Sequence, residues 1–272
     1  MLLVCDVGNT ETTIGLADAT HIVSHWRVMT SAARTPHEFA LLLRSLLDLD
    51  AVAYDAVYGA AIGSVVPSVT APLAEGIRLA FGVSALTVDA RSILPITLDV
   101  DEPQTVGADR IINTLAASRI YGRDCIVVDL GTATTYDCIT QHGVFLGGVI
   151  APGVLTSLET LTRRTSKLPS TELRAPAHVI GRRTEECIRS GVLFGAVDSI
   201  TGIVARIRAE WPTGRDPLVI GTGGLAAMLA PFCPTLAVVD ANLTLRGLQL
   251  AHALLSAEGQ DEAAGDAQRD IT

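Results

Sequence analysis

The sequence predicts an α/β protein of two lobes, each a mixed sheet with flanking helices, and three observations carry that prediction. First, Val4-Cys5-Asp6-Val7-Gly8-Asn9-Thr10-Glu11-Thr12-Thr13 returns in outline as Val127-Val128-Asp129-Leu130-Gly131-Thr132-Ala133-Thr134-Thr135. Second, each copy opens a meander of strand-like segments that gives way to alternating helical and strand-like stretches, the pattern of parallel pairing. Third, 272 residues with 49% hydrophobic and 18% charged side chains and a mean hydropathy of +0.40 are enough for two buried cores.

Taken in order, residues 2 to 7, 12 to 17 and 22 to 29 alternate apolar and polar side chains between turn residues and read as three strands. Pro36 opens an amphipathic helix to about Leu47, with Phe39, Leu42, Leu43, Leu46 and Leu47 on one stripe. A strand at 56 to 62, a helix at 68 to 80 after Ser64-Val65-Val66-Pro67, and a strand near 85 to 88 complete a first lobe, residues 1–104. The second lobe, 105–257, begins with a helix to about Ile120 and repeats the meander at 124 to 130, 134 to 140 and 143 to 150. A turn at Ala151-Pro152-Gly153, a helix carrying Leu155, Leu158 and Leu161, and a long helix over 184 to 210 follow. Strands at 218 to 220 and 235 to 239 and a helix at 244 to 256 end it, and the small, acidic stretch 258–272 is expected to be disordered.

Composition narrows function. A net charge of −9 with no basic run argues against nucleic acid as a partner. Lys167 is the only lysine and no Gly precedes it, which excludes a Walker-type phosphate loop, so phosphate binding would rest on backbone, hydroxyls, Arg and metal. The apolar run after Met1 is about five residues long without a basic leader, and no uninterrupted apolar segment approaches the ~20 residues of a membrane helix. A cytoplasmic protein without membrane partners is expected. Cys5, Cys125, Cys138, Cys187 and Cys233 are scattered, without a Cys-x-x-Cys pair, and read as buried free thiols.

The duplicated hairpins carry the chemistry. In each, a strand delivers an Asp near its end, a Gly permits a sharp turn, and small polar side chains start the next strand. An Asp in such a place is commonly a turn former, but a turn does not need the repetition. Such hairpins suit phosphate oxygens at Gly8, Asn9, Thr10, Gly131 and Thr132, with a cation at one carboxylate. Gly221-Thr222-Gly223-Gly224 follows a strand and precedes an apolar helix, which suits either tight packing or the nucleoside end of a ligand. Gly107-Ala108-Asp109-Arg110 sets a carboxylate beside a guanidinium at a helix start. It is either a dipole-complementing helix start or a general base with an anion clamp. His21 and His25 have no third ligand and read as surface residues, and Arg163, Arg164, Arg182 and Arg183 as solvated charges. No carboxylate pair suggests glycoside hydrolysis.

Together these residues resemble type III pantothenate kinase, within the acetate and sugar kinase, chaperone and actin superfamily. The resemblance spans nearly the whole chain. It rests on Asp6 to Thr10, Ser64 to Pro67, Gly107 to Arg110, Asp129 to Thr135, Gly147-Gly148 with Pro152-Gly153, and Thr222-Gly223-Gly224. It implies two ribonuclease H-like lobes, ATP between them, and phosphorylation of the primary hydroxyl of pantothenate, the first step toward coenzyme A, by a homodimer that needs Mg²⁺ and K⁺ or NH₄⁺. By the same resemblance Asp109 is the base, Asp6 the Mg²⁺ ligand and Asp129 the monovalent-cation ligand. Asp6, Val7, Gly8, Asn9, Thr10, Gly131, Thr132, Gly221, Gly223 and Gly224 would hold ATP. Gly107, Ala108 and Arg110 would line the pantothenate pocket, with Thr184 reaching it from the neighbouring subunit. Two segments depart from the family pattern: Val100-Asp101-Glu102-Pro103 stands for Tyr-x-Asn-Pro, and Gly181-Arg182-Arg183-Thr184 for Gly-x-Asn-Thr. Both flank the acceptor site, which keeps two alternatives in view, a regulatory paralogue and a kinase of another small molecule.

Overall fold

The computed structural model describes residues 1–269, with side chains through Ala257. Packing divides the chain into two compact units, one of Met1–Arg119 together with the chain from Leu243 onward, the other Ile120–Asn242.

The first unit is built on β1 (Leu2–Val7), β2 (Glu11–Ala17), β3 (Ile22–Met29), β4 (Gly59–Ser64) and β5 (Ala85–Val88), in the order β3-β2-β1-β4-β5. The meander is antiparallel, and β4 and β5 join parallel to β1. Because strand side chains alternate in direction, β1 feeds two cores. Leu3, Cys5 and Val7 meet α1 (Pro36–Leu49) and α2 (Pro67–Phe81) through Phe39, Leu43, Leu47, Leu73 and Ile77. Leu2 and Val4 meet α3 (Ala108–Tyr121) and α7 (Leu243–Arg269) through Ile112, Leu115, Leu245 and Leu248. Local signals set the helix ends. Thr35 accepts from the N–H of Glu38 while Glu38 accepts from that of Thr35, a reciprocal cap with Pro36 in the first turn. Gly82, at φ 73°, closes α2 in the left-handed conformation that glycine adopts without a Cβ penalty.

The second unit repeats the plan with β7 (Cys125–Leu130), β8 (Ala133–Ile139), β9 (Val144–Pro152), β10 (Leu218–Thr222) and β11 (Val238–Val239), ordered β11-β10-β7-β8-β9. Read from the other edge this is the strand order of the first unit, again with an antiparallel meander and parallel additions. A two-residue strand, β6 (Thr97–Leu98), precedes it in the chain. One face of the second sheet packs on α4 (Val154–Arg164), α5 (Thr184–Ala209) and α6 (Ala226–Leu229), through Val154, Leu158, Ile188, Leu193, Val197, Ile200, Val204 and Leu229.

Three expectations change. The division expected at 104/105 moves, because Ile112 of α3 fills the space over Gly63 of β4 and α7 packs beside it, so both helices belong to the first core. Cys187 is exposed rather than buried, since it lies in the first turn of α5, outside the core stripe. Among the described residues one helix, α5, is long and apolar enough to cross a membrane. Its charged residues interrupt the sequence run, and its apolar stripe is buried in the second core. The expected strand at 235 to 239 is only Val238–Val239. The acidic stretch expected from Glu258 falls on positions whose side chains, and whose last three residues altogether, lie outside the described residues.

Candidate functional site

In the first hairpin β1 and β2 pair in register, with Asp6 opposite Thr13 and Val7 opposite Thr12. The turn is Gly8-Asn9-Thr10, closed by a hydrogen bond from the Gly8 N–H to the Glu11 carbonyl (3.0 Å), with Asn9 and Thr10 exposed. Val7 is fully buried, so only its backbone can face a ligand. Asp6 is half-buried and lies on the strand face shared with Leu2 and Val4, the face that α3 and α7 cover. Its parallel neighbour on β4 is Gly63.

Asp109 approaches this same face. The Gly107 carbonyl accepts from the N–H groups of Arg110 (3.1 Å) and Ile111 (3.2 Å), which starts α3, and the Asp109 carboxylate accepts from the Arg110 N–H (2.9 Å). Ile112, one turn on, packs over Gly63 beside Asp6. A Cβ on Gly107 would lie 2.5 Å from Asp109 Oδ1 and 3.3 Å from Val65, and Val65 is bound through its N–H to the Val7 carbonyl (3.1 Å). The start of α3 therefore rests where β1 and β4 end, and the first unit brings Asp6 and Asp109 to one end of one sheet face. Burial pushes the Asp109 carboxyl above the usual carboxylate range, opposed in part by the Arg110 N–H and the Arg110 charge. Ala108 is buried in the core, so its side chain does not line a pocket.

The second hairpin has the same register, Asp129 opposite Thr135 and Leu130 opposite Thr134, over a turn one residue shorter. The Gly131 N–H reaches the Ala133 carbonyl at 3.1 Å. Asp129 is half-buried and pairs across β10 with Thr222. Gly223 follows at φ 84°, where a Cβ would collide with the Asp129 carboxylate and come within 2.7 Å of the Leu130 nitrogen. Glycine is required there twice over, for its backbone angle and for its close approach.

Not every residue of the glycine-rich turn belongs to it. Gly221 is an interior residue of β10, buried against Leu236, which leaves the turn to Gly223 and exposed Gly224. The helix expected after it is the four-residue α6, ended by the 3-10 turn Ala230–Phe232 with its proline, too short to aim a row of N–H groups at an anion. Thr184 is the exposed first residue of α5. Ahead of it the Glu186 carboxylate accepts from the N–H groups of Arg182 (2.8 Å) and Arg183 (3.3 Å), and those bonds lower its pKa. Arg163, Arg164, Arg182 and Arg183 are exposed, as are His21 and His25, and Asp101 and Glu102 of the departing segment face solvent.

The second unit also holds an apolar cavity of about 620 Å³ between β8, β9, α4 and α5, with Tyr136, Val154, Leu161, Ile188 and Val192 among its walls. Sequence reasoning did not single out the side chains that fasten the hairpins. Thr30 bonds the first turn and Thr156 the second, from 22 and 24 positions away, so no local pattern announces either.

Two mixed α/β sheets whose five main strands follow one order, each with an Asp-bearing hairpin on the first two strands of its meander, make this a duplicated α/β fold. The family model for type III pantothenate kinase matches residues 2–206, and the chain belongs to that family. A type III pantothenate kinase of Halalkalibacterium halodurans is 40% identical over 252 residues, 93% of this chain and 98% of its own. One from Streptomyces griseus is 42% identical over 258 residues, 93% and 97% of the two chains. Among solved structures, a protein described as a Baf family transcriptional activator from Campylobacter jejuni superposes with a TM-score of 0.55 at 19% identity, covering 92% of this chain and 96% of that one. The activator of 2-hydroxyisocaproyl-CoA dehydratase from Clostridium difficile, with bound ADPNP, gives 0.51 at 11% identity, covering 97% of each. At those identities the two structures speak for the fold alone.

Proposed function

We propose that this chain transfers the γ-phosphoryl group of ATP to the primary hydroxyl of pantothenate, giving 4'-phosphopantothenate and ADP. The observation that carries the chemistry is that the start of α3, with Asp109, rests where β1 brings Asp6 to the end of the first sheet, with the Asp109 carboxyl raised by burial, in a member of this kinase family. A carboxylate with a raised pKa is a better proton acceptor near neutrality. Asp109 takes the hydroxyl proton as the acceptor oxygen bonds to phosphorus and the bond from phosphorus to the β–γ bridging oxygen breaks, so ADP leaves with the bridging oxygen.

Gly8, Asn9, Thr10, Gly131 and Thr132 offer backbone and small polar groups to the phosphates, and Gly223 and Gly224 a close backbone approach to the nucleoside. Gly107 and Arg110 lie beside the base and serve the acceptor, with Arg110 pairing to its carboxylate. Asp6 would hold Mg²⁺ and Asp129 K⁺ or NH₄⁺, and these ions neutralise phosphate charge that a chain with one lysine does not. The donors fit: both are half-buried carboxylates near strand ends beside glycine turns, each offering hard oxygen to a cation and leaving its other positions to further oxygen ligands. Mg²⁺ ordinarily completes such an open site with phosphate oxygens and water. A homodimer in the cytoplasm, with Thr184 of one subunit serving the other's acceptor pocket, completes the proposal.

The test is a coupled ADP-release assay with pantothenate, with and without K⁺, on wild type and Asp109→Asn. Turnover that needs pantothenate and falls about 10²–10⁴-fold in the variant supports the assignment. No pantothenate-dependent turnover in the wild type refutes the reaction, and an undiminished variant refutes the base.

A further inference from the structure

Each hairpin turn is tied back by a threonine hydroxyl from outside it. Thr30, just beyond β3, donates its hydroxyl to the Gly8 carbonyl (2.7 Å) and its N–H to the Thr10 carbonyl (2.9 Å). The Thr30 and Thr12 hydroxyls lie 2.8 Å apart. A hydroxyl has one hydrogen and Thr30 spends its own on Gly8, so Thr12, 2% exposed, is the donor of that bond. In the second unit the Thr132 carbonyl accepts from the Thr156 hydroxyl (2.7 Å) and the Gly153 N–H (3.2 Å). Gly153 is close enough that any Cβ would strike that carbonyl, which leaves glycine as the residue that can sit there.

The consequence follows from peptide geometry. In a planar trans peptide the C=O and the next residue's N–H point in opposite directions. Holding the Gly8 carbonyl toward Thr30 turns the Asn9 N–H the other way, and holding the Thr132 carbonyl toward α4 does the same for Ala133. A turn whose carbonyls are fastened cannot flip to present oxygen where an anion is to be bound. We propose that Thr30 and Thr156 are positioning residues that aim the backbone N–H groups of the two hairpins at nucleotide phosphate. This rests on the nucleotide reading of the hairpins proposed above.

The test uses the full-length protein with Thr30→Val and Thr156→Val, which keep side-chain shape and remove the hydroxyl, and Thr30→Ser and Thr156→Ser, which restore it. Thr30→Val also leaves the buried Thr12 hydroxyl without its acceptor and can lower stability on that account. Thr156 is only partly buried and has no such dependant, so its variant keeps the question open to refutation. MgATP binding is measured by calorimetry, KM and kcat by ADP release, and melting temperature alongside. The valine variants should weaken MgATP binding and raise the KM for ATP by roughly tenfold, the scale of one well-placed hydrogen bond, with the KM for pantothenate unchanged and the serine variants restored. Wild-type MgATP affinity in both valine variants overturns the proposal, as does equal loss in the serine variants. A wild type that binds MgATP but does not turn over pantothenate refutes the reaction while leaving the calorimetric test of the ties intact.

Discussion

Gly107→Ala perturbs the proposed base through a single methyl group. The added Cβ would lie 2.5 Å from Asp109 Oδ1, and ordinary van der Waals contact begins at 3.4 Å, so the carboxylate must retreat by about 0.9 Å. Retreat is cheap for the fold, because what is struck is the end of a short side chain, and the 3.3 Å approach to Val65 needs only slight adjustment. For catalysis the same movement is costly, since a misplacement of about 1 Å in a reacting group lowers the rate by around 10²-fold. The expected result is a kcat reduced about a hundredfold with melting temperature within a few degrees of wild type, read by ADP release with saturating pantothenate and by thermal unfolding. A Gly107→Ala protein that folds normally and keeps kcat within twofold of wild type would refute the placement of Asp109 at the reacting hydroxyl.

Asp109→Asn should raise the melting temperature at neutral pH. The folded pKa of Asp109 lies above its unfolded value, so the charged form is disfavoured on folding, and removing the charge helps above the folded pKa and not below the ordinary carboxylate range. In the wild type, kcat should fall with acid along a limb that starts above the usual carboxylate pKa. Asp124 is 2% exposed and accepts from the Gln141 N–H (2.8 Å), the Trp211 indole (3.0 Å) and Thr213 (2.5 Å). Burial opposes its charge, but those bonds prevail and lower its pKa, so its stabilisation is present above the unfolded pKa and is lost as pH falls through the folded one. Asp124→Ala should cost about 3 kcal/mol in urea unfolding, because charged acceptors contribute ~1.5–3 kcal/mol per bond and the buried Trp211 indole N–H is left without its acceptor. Gly223→Ala should cost more than the ~1–2 kcal/mol of its left-handed backbone angle, because the added Cβ also strikes the Leu130 backbone, and should displace Asp129 and weaken activation by K⁺, measured by unfolding and by a K⁺ titration of the rate.

Much of this was legible because hairpins and strand meanders are local. The alternation from Leu2 to Met29 and the return of Asp-x-Gly at Asp129 marked both sheets to within a few residues, and the chemistry-bearing aspartates came with them. What escaped depends on distant contacts. Nothing around Ile112 says that it fills a gap over Gly63, and without that contact α3 looks like the start of a second lobe. Gly221 and Gly223 look equivalent in a run of glycines, yet one is a strand residue against Leu236 and the other a turn residue against Asp129. Strand register decides between them, and no local spacing encodes it.

The two copies have diverged in a way that bears on which lobe does what. The first turn is a residue longer and exposes the Asn9 and Thr10 side chains, and its Asp lies on the same sheet face as a second carboxylate carried by α3. The second turn is shorter, is pressed from behind by Gly153, and its Asp abuts the backbone of Gly223. On the assignments proposed above, proton transfer and the divalent ion draw on the first copy, and the monovalent ion and the nucleoside approach on the second. Substitutions at paired positions should then differ in kind. Asp6→Asn should raise the Mg²⁺ concentration needed for half-maximal rate and leave the K⁺ requirement alone, and Asp129→Asn should do the converse. If both variants shift the same titration equally, the duplicated carboxylates share one ion and the division of labour between the copies is wrong.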